Sequence, residues 1–459
     1  MPHRNQEKCN NSLDNMTFAK VLRIDPYKYK VSRYNIYKKT SDKALLIFNT
    51  KTGAFSILTS QFINTEDKER YLADFVKNGY IIEKERNERG EVIENFKKVT
   101  DDKTIMRLII LPAEMCNFRC IYCYETFSGR KMPNEIATAI VKFVYRHIKE
   151  LKTLEISWFG GEPLLATETV VSITQECQRL ARANGVKFLA DVTTNGYLLT
   201  PKLYQNLIAV GITGYQVTID GIAEVHNQYR KLKKGGDTFQ RIWKNLCALK
   251  KLNDEIYVIV RTNFDQNSTY KLDEWINLYS LEFGNDRRFR LLLRPIFRSG
   301  SERDRQLKIC PLEKAAKFES EFLLYLWEKL GFPDSYFYEV LLPSPKAVYC
   351  YGGLSGCWVI GANGKLWKCT VALDENSSLG YLEENGTLNI NHQKLSEWQS
   401  DMESWIYDDE CQECIFLPLC VGGCILSRKK GKKGCYILHQ SITRAMEMYY
   451  TKKYLKGGE

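Results

Sequence analysis

The sequence predicts an α/β protein. Six short apolar segments alternate with amphipathic helical segments between residues 104 and about 300, a strand-rich stretch precedes them, and a cysteine-rich tail follows. Such alternation implies a parallel sheet, because each crossover helix returns the chain to begin the next strand in the same direction. The segments are RLIILPA (107–113), LEISWFG (154–160), KFLADVTT (187–194), GYQVTID (214–220), IYVIVRT (256–262) and RFRLLLRPIF (288–297). Between the fourth and fifth, TFQRIWKNLCALKKL (238–252) sets Phe239, Ile242, Trp243, Leu246 and Leu249 on one stripe, the spacing of a helix lying on a sheet. An open doubly wound sheet and a partial barrel both fit, and in both ligands gather at the carboxyl ends of the strands.

Residues 1–100 read as a separate α+β domain. KALLIFNTKTGAFSIL (43–58) is two strands around a glycine-containing turn. EDKERYLADFVKNGYII (66–82) places Leu72, Phe75 and Val76 on a helical face, with Gly79 as the stop before a further strand. The polar run EKERNERGEVIENFKK (83–98) reads as a boundary. After the core (104–305), residues 306–349 read as a linker with one helix, PLEKAAKFESEFLLYLWEKLG (311–331), and residues 350–459 as a cysteine-rich domain.

Hydrophobic content of 44% and charged content of 26% are those of an ordinary globular chain. No run approaches the roughly 18 apolar residues of a membrane span, and the start, MPHRNQEKCNNSLDN, lacks a signal-peptide apolar core. The expectation is a cytoplasmic protein without a membrane partner. Its 15 cysteines then favour metal or cluster ligation over disulfides. The formal charge of +11 hints at an acidic partner. The basic runs RKKGKKG (428–434) and RKLKKGG (230–236) read as solvated loops, so charge alone does not nominate nucleic acid.

CNFRCIYCYE (116–125) follows the first core strand and carries Cys116, Cys120 and Cys123. Three thiols are odd for disulfides and one short of a closed metal site; a cube-shaped cluster held by three cysteines keeps one iron open. The spacing C-x3-C-x2-C, with an aromatic before the third cysteine, resembles the radical S-adenosylmethionine (radical SAM) enzymes. WFGGEPLL (158–165) at the second strand end looks like that family's GGEP element, and TTNGYLLT (193–200) and VTIDG (217–221) end the third and fourth strands, with HNQYR running on to Arg230. The resemblance covers roughly 104 to 300 and implies a partial (β/α)6 barrel with a 4Fe–4S cluster whose open iron chelates SAM. Reductive cleavage of SAM then yields a 5′-deoxyadenosyl radical that abstracts hydrogen from substrate. It places Gly160 and Gly161 close to the SAM methionine, where no Cβ intrudes, Glu162 near its ammonium, Thr218 and Arg230 at its ribose and carboxylate, and Tyr122 near the adenine. No catalytic side chain follows, because the cofactor performs the abstraction.

The tail holds Cys350, Cys357, Cys369, Cys411, Cys414, Cys420, Cys424 and Cys435. The run CQECIFLPLCVGGC is C-x2-C-x5-C-x3-C, and GANGKLWKC closes on Cys369. These spacings resemble the SPASM extension of a subset of radical SAM enzymes, which carries two auxiliary 4Fe–4S clusters. That implies Cys350, Cys357, Cys369 and Cys424 for the first and Cys411, Cys414, Cys420 and Cys435 for the second. Cys357 has no equivalent in every family member, and without it the first auxiliary cluster would be open to a substrate thiolate. The Cys424–Cys435 gap is shorter than the family usually shows. Cys9, Cys177, Cys247 and Cys310 read as ordinary thiols.

SPASM enzymes act on peptides or proteins, and a strand-rich N-terminal domain can accept a leader peptide as an added strand. The resemblance therefore implies a maturase of a ribosomally made precursor peptide, with a Cys thioether as the favoured product. A carbon–carbon crosslink or an epimerised centre stays open. Sulfatase maturases are the competing enzyme reading; they carry an aspartate, the proposed base, directly after the cysteine at the position of Cys369, where this chain has Thr370. An iron–sulfur redox sensor and a zinc-ribbon protein are the non-enzymatic alternatives; neither needs the GGEP and strand-end motifs. The expected cofactors are SAM and three 4Fe–4S clusters, with an electron donor such as flavodoxin or ferredoxin.

Overall fold

The computed structural model describes residues 18–20, 22, 24–59, 61–62, 69–298, 307–330, 337–433, 435 and 439–455; Cys9 lies outside them. The chain forms two compact units. One comprises residues 1–100, 312–350 and 400–459, and the other residues 101–311 and 351–399. The cysteine-rich tail is thus shared out: residues 351–399 belong with the core strands, and residues 400–459 with the N-terminal segment.

In the first unit β1 (Tyr29–Val31) pairs antiparallel with β5 (Ile81–Glu83), while β2 (Asn35–Lys39), β3 (Leu45–Asn49) and β4 (Phe55–Leu58) form an antiparallel sheet. The period-2 rule explains why β3 is buried along its whole length. Leu46 and Phe48 face a core built with Trp327, Ile415, Leu419, Met446 and Tyr449, whereas Leu45 and Ile47 face Phe18, Phe75 and Tyr80. Helices Leu312–Leu330 and His439–Tyr450 meet in that first core, where Trp327 stacks on Tyr449 at 5.9 Å.

The polar run at 83–98 contains a helix, Glu88–Thr100, and the N-terminal segment of the first unit ends with it. Its apolar stripe is only Val92 and Phe96, and its first residue is an anchor: Ser32 Oγ (2.7 Å) and the Arg33 amide (3.0 Å) donate to the buried Glu88 carboxylate. On the exposed face Arg86 and Lys51 hold Glu91, and the hydrogen bonds from Arg86 lower its pKa from 4.5 to about 2. A depressed carboxylate pKa contributes stability above its unfolded value and loses it as pH falls through the folded one. Glu91→Gln is therefore expected to flatten the part of the acid-unfolding curve between pH 4.5 and about 2, read by circular dichroism, with little change at neutral pH.

The second unit carries a ten-stranded sheet. Its heart is β6 (Ile105–Ile110), β8 (Thr153–Trp158), β9 (Lys187–Thr194), β10 (Ile212–Thr218), β12 (Tyr257–Phe264) and β13 (Phe289–Pro295), all parallel and adjacent in chain order. Those are the six segments expected. A doubly wound sheet reverses its strand order at a switch point; this one never does, so the partial-barrel alternative holds. Helices cover one face: Trp158 Nε1 donates to Thr174 on helix Thr167–Ala183 (3.0 Å), and Trp275 Nε1 on helix Leu272–Phe283 donates to Thr262 (2.9 Å). Odd-numbered neighbours such as Ser157 and Arg261 therefore point to the other, concave face. Strand β14 (Cys357–Ile360) joins the free edge of β6 in parallel, setting Cys357 opposite Arg107, and β15 (Lys365–Trp367), β16 (Gly380–Leu382) and β17 (Leu388–Ile390) extend it as a meander. Two short strands, β7 (Phe118–Cys120) and β11 (Arg230–Leu232), pair antiparallel outside this sheet.

Candidate functional site

The loop after β6 holds the three core cysteines, none in a disulfide and each half-buried. Cys116 Sγ accepts from the Phe118 amide (3.3 Å), the Cys123 amide donates to Cys120 O (3.2 Å), and β7 registers Cys120 directly opposite Arg230. Ile121 N donates to Tyr229 O (3.0 Å), continuing that ribbon. Burial pushes the Cys116 thiol up to about 12, with Glu162, Cys120 and Cys123 adding repulsion. Among the described residues no three Cys, His, Asp or Glu side chains converge tightly enough to chelate a single ion. The fit to an iron–sulfur cluster thus rests on the three-thiol loop and its amide-to-sulfur bond.

The GGEP turn closes against this loop. Glu162 N donates to Met115 O (2.9 Å), and Gly161 N donates to the Glu125 carboxylate. Gly161 has φ +48°, and a Cβ there would sit 2.1 Å from Met115 O; one on Gly160 would meet Leu111 Cγ at 2.4 Å. Both glycines are needed for packing against the protein itself. Gly161→Ala is therefore expected to displace the residue preceding Cys116 and cost the core cluster most of its iron, measured after anaerobic reconstitution.

Glu162 is fully buried, and three donors occupy its carboxylate: Leu164 N (3.1 Å), Thr194 Oγ1 (2.7 Å) and Asn195 N (2.8 Å). It ties the end of β8 to the end of β9. Burial raises its pKa, which these donors oppose. Asn195 in turn donates to Asn117 Oδ1 (2.8 Å) and lies 3.8 Å from Cys116 Sγ.

Arg230, also buried, donates from Nη1 to Tyr122 Oη (2.6 Å). Tyr122 donates to Asp220 Oδ2 and accepts from Asn263 Nδ2 (3.1 Å), and the Asn263 amide donates to Asp220 Oδ1 (2.9 Å). The Tyr122 ring packs beside Val225, Tyr229 and Ile296. Thr218, 7% exposed, ends β10 beside Arg261. Arg230 Nε and His226 Nε2 are buried and have no partner among the described residues. A donor orphaned beside the three-thiol loop fits a polar ligand carrying acceptors, as SAM does.

Asn195, Asp220 and Asn263 thus join the expected residues. Their only signal in the sequence was position, each at or just past a strand end. In the tail, the Cys420 thiol is pushed up to about 12 by burial, with Cys414, Cys435 and Cys411 as its repelling neighbours. Those four are the set expected for the second auxiliary cluster. Cys411 Sγ also accepts from Arg428 Nη2 (3.0 Å), and Cys414 Sγ from Phe416 N (3.4 Å). Of the other set, Cys357 opens β14 and Cys369 follows β15 in one unit, while Cys350 and Cys424 belong to the other. Lys368, 4% exposed, donates to the carbonyls of Leu354, Ser355 and Cys357 (2.9, 3.0 and 2.7 Å), and burial lowers its pKa to about 8. Thr370 shares a 2.7 Å hydrogen bond with Tyr351 Oη. Cys177 is buried on its helix and Cys247 half-buried on helix Phe239–Lys250.

A partial barrel with a three-cysteine loop after its first strand, closed by a GGEP turn, defines a radical SAM enzyme. Residues 110–266 match the model of the Radical SAM superfamily, so the chain carries a radical SAM domain. A cysteine-type anaerobic sulfatase-maturating enzyme of Clostridium perfringens is 25% identical over 70% of this chain and 88% of its own length. Among solved structures, native anSMEcpe with bound AdoMet is similar at a TM-score of 0.53 and 20% identity, covering 77% of this chain and 97% of that one. SuiB of Streptococcus suis gives 0.50 and 13% over 88% and 98%. Among the described residues no helix is long and apolar enough to cross a membrane.

Proposed function

We propose that this enzyme is a maturase that modifies a peptide made by the ribosome, with a Cys thioether as its product. The observation that carries the reading is the three-thiol loop pinned between the GGEP turn and the Arg230 strand. Bound there, a 4Fe–4S cluster and SAM would supply the hydrogen-abstracting radical. Cys116, Cys120 and Cys123 would hold the cluster. Gly160, Gly161 and Glu162 would shape the methionine side, Thr218 and Arg230 would meet ribose and carboxylate, and Tyr122 would flank the adenine.

The eight tail cysteines would serve two further clusters, and their C-x2-C-x5-C-x3-C spacing supports this reading. The open edges of the β2–β3–β4 sheet offer backbone groups to a leader peptide. A flavodoxin or ferredoxin in a reducing cytoplasm would deliver the electron.

One observation favours a second reading, sulfatase-type maturation of a protein cysteine: the similarity to sulfatase-maturating enzymes over most of their length. Thr370, bonded to Tyr351, is no acid and weighs the other way. Co-expression with a cysteine-containing precursor encoded beside this gene separates the two by mass spectrometry. The thioether reading predicts loss of two hydrogen atoms and a thiol that no longer alkylates. Exchange of sulfur for oxygen, with an aldehyde that reacts with hydrazine, would establish the sulfatase-type reaction instead.

A further inference from the structure

Two guanidinium groups on the concave face of the six-strand sheet, those of Arg107 and Arg261, have different surroundings. Arg107 on β6 has acids around it: Glu155 at 3.6 Å, and Ser157, which bridges to Asp191 (2.7 Å). Arg261 on β12 forms no ion pair among the described residues. Its Nε donates to Asn263 Oδ1 (2.8 Å), and among the described residues no carboxylate comes within ion-pair distance. Asp220, the acid beside it, is already occupied by Tyr122, Asn263 and Arg230. Instead Arg261 has Arg294 as a neighbour, and burial with that repulsion pulls its pKa down. Tyr122 and Tyr124, which flank Cys123, complete its surroundings. A half-buried guanidinium with no carboxylate paired to it among the described residues is open to an arriving anion.

We propose that Arg261 receives a carboxylate of the peptide substrate, an Asp or Glu side chain lying next to the residue that loses hydrogen. This rests on the reading of the chain as a peptide maturase. Arginine suits the task because its planar fork binds a carboxylate through two parallel bonds while Asn263 fixes its orientation. Strand pairing sets Arg261 beside Thr218, so the anchored carboxylate lies at the rim where the SAM-facing strands end. The SAM carboxylate is the other possible source of the same chemistry.

The test needs no turnover. Anaerobically reconstituted enzyme with SAM bound is titrated calorimetrically with N-acetyl-Gly-Asp-Gly-amide and with its Asn counterpart. Wild type is expected to favour the Asp peptide by about tenfold or more, the effect of one charge-assisted hydrogen bond. Arg261→Met should abolish that preference and Arg261→Lys should keep part of it. SAM affinity should stay within about twofold of wild type, since the proposal gives Arg261 no contact with SAM. Because the substitution removes an uncompensated charge, Arg261→Met should melt no lower than wild type. Equal binding of the two peptides by wild type would overturn the proposal even if the variant failed to fold. So would a preference surviving in Arg261→Met, or a tenfold loss of SAM affinity there, which would assign the carboxylate to methionine. Should the expected preference appear while no precursor is modified, the maturase reading falls and the carboxylate site stands.

Discussion

Cys120→Ala is expected to abolish formation of 5′-deoxyadenosine from SAM and to lower the iron content by about four atoms, one cluster's worth. The loop should survive the change. It is held by backbone bonds, the β7–β11 pairing, the Ile121 amide on Tyr229 O and the Glu162 amide on Met115 O, none of which involves the thiol. The variant should therefore fold, keep its thermal transition within a few degrees of wild type and, on the proposed reading of the tail, retain the electron paramagnetic resonance signals of clusters held there. Iron analysis and spectra of the reduced protein check each point. A variant that keeps its full iron would show that Cys120 is not a ligand.

Arg230→Ala is expected to destabilise the core unit by about 3–5 kcal/mol, the usual effect of removing one partner of a buried charge group. Its guanidinium is buried opposite Cys120, hydrogen-bonded to Tyr122, and 4.0 Å from the fully buried Asp220. Alanine leaves that carboxylate without its cation. Burial already raises the Asp220 pKa and Arg230 opposes the rise. The deficit should therefore be largest near neutral pH and shrink as acid protonates Asp220. Urea unfolding at two pH values measures both. Arg230→Lys, which keeps the charge and loses the fork, should recover part of the stability.

The six core strands were legible because each is a short apolar run with helical periodicity between its neighbours. Their order was not legible, since alternation alone does not say whether helices cover one face or two. Helix Glu88–Thr100 was hidden by composition: two buried apolar residues among charges read as solvent-exposed chain. Cysteine spacing says nothing about packing, so the division of the tail between two units could not be foreseen.

At the site, the thiols and the GGEP turn carried their own signal. The glycines announced a close approach, yet the approaching atoms are Leu111 and Met115 of the chain itself. Asn195, Asp220, Asn263 and Arg261 are polar residues at or near strand ends. Only the register, which sets Thr218 beside Arg261, separates them from surface positions.

The most direct measurement is chromatographic detection of 5′-deoxyadenosine after anaerobically purified wild-type enzyme is mixed with dithionite and SAM. Three thiolates that leave one iron free to bind SAM predict 5′-deoxyadenosine and methionine in equal amounts. Protein that carries its full iron, is demonstrably reduced and still leaves SAM intact would contradict the account.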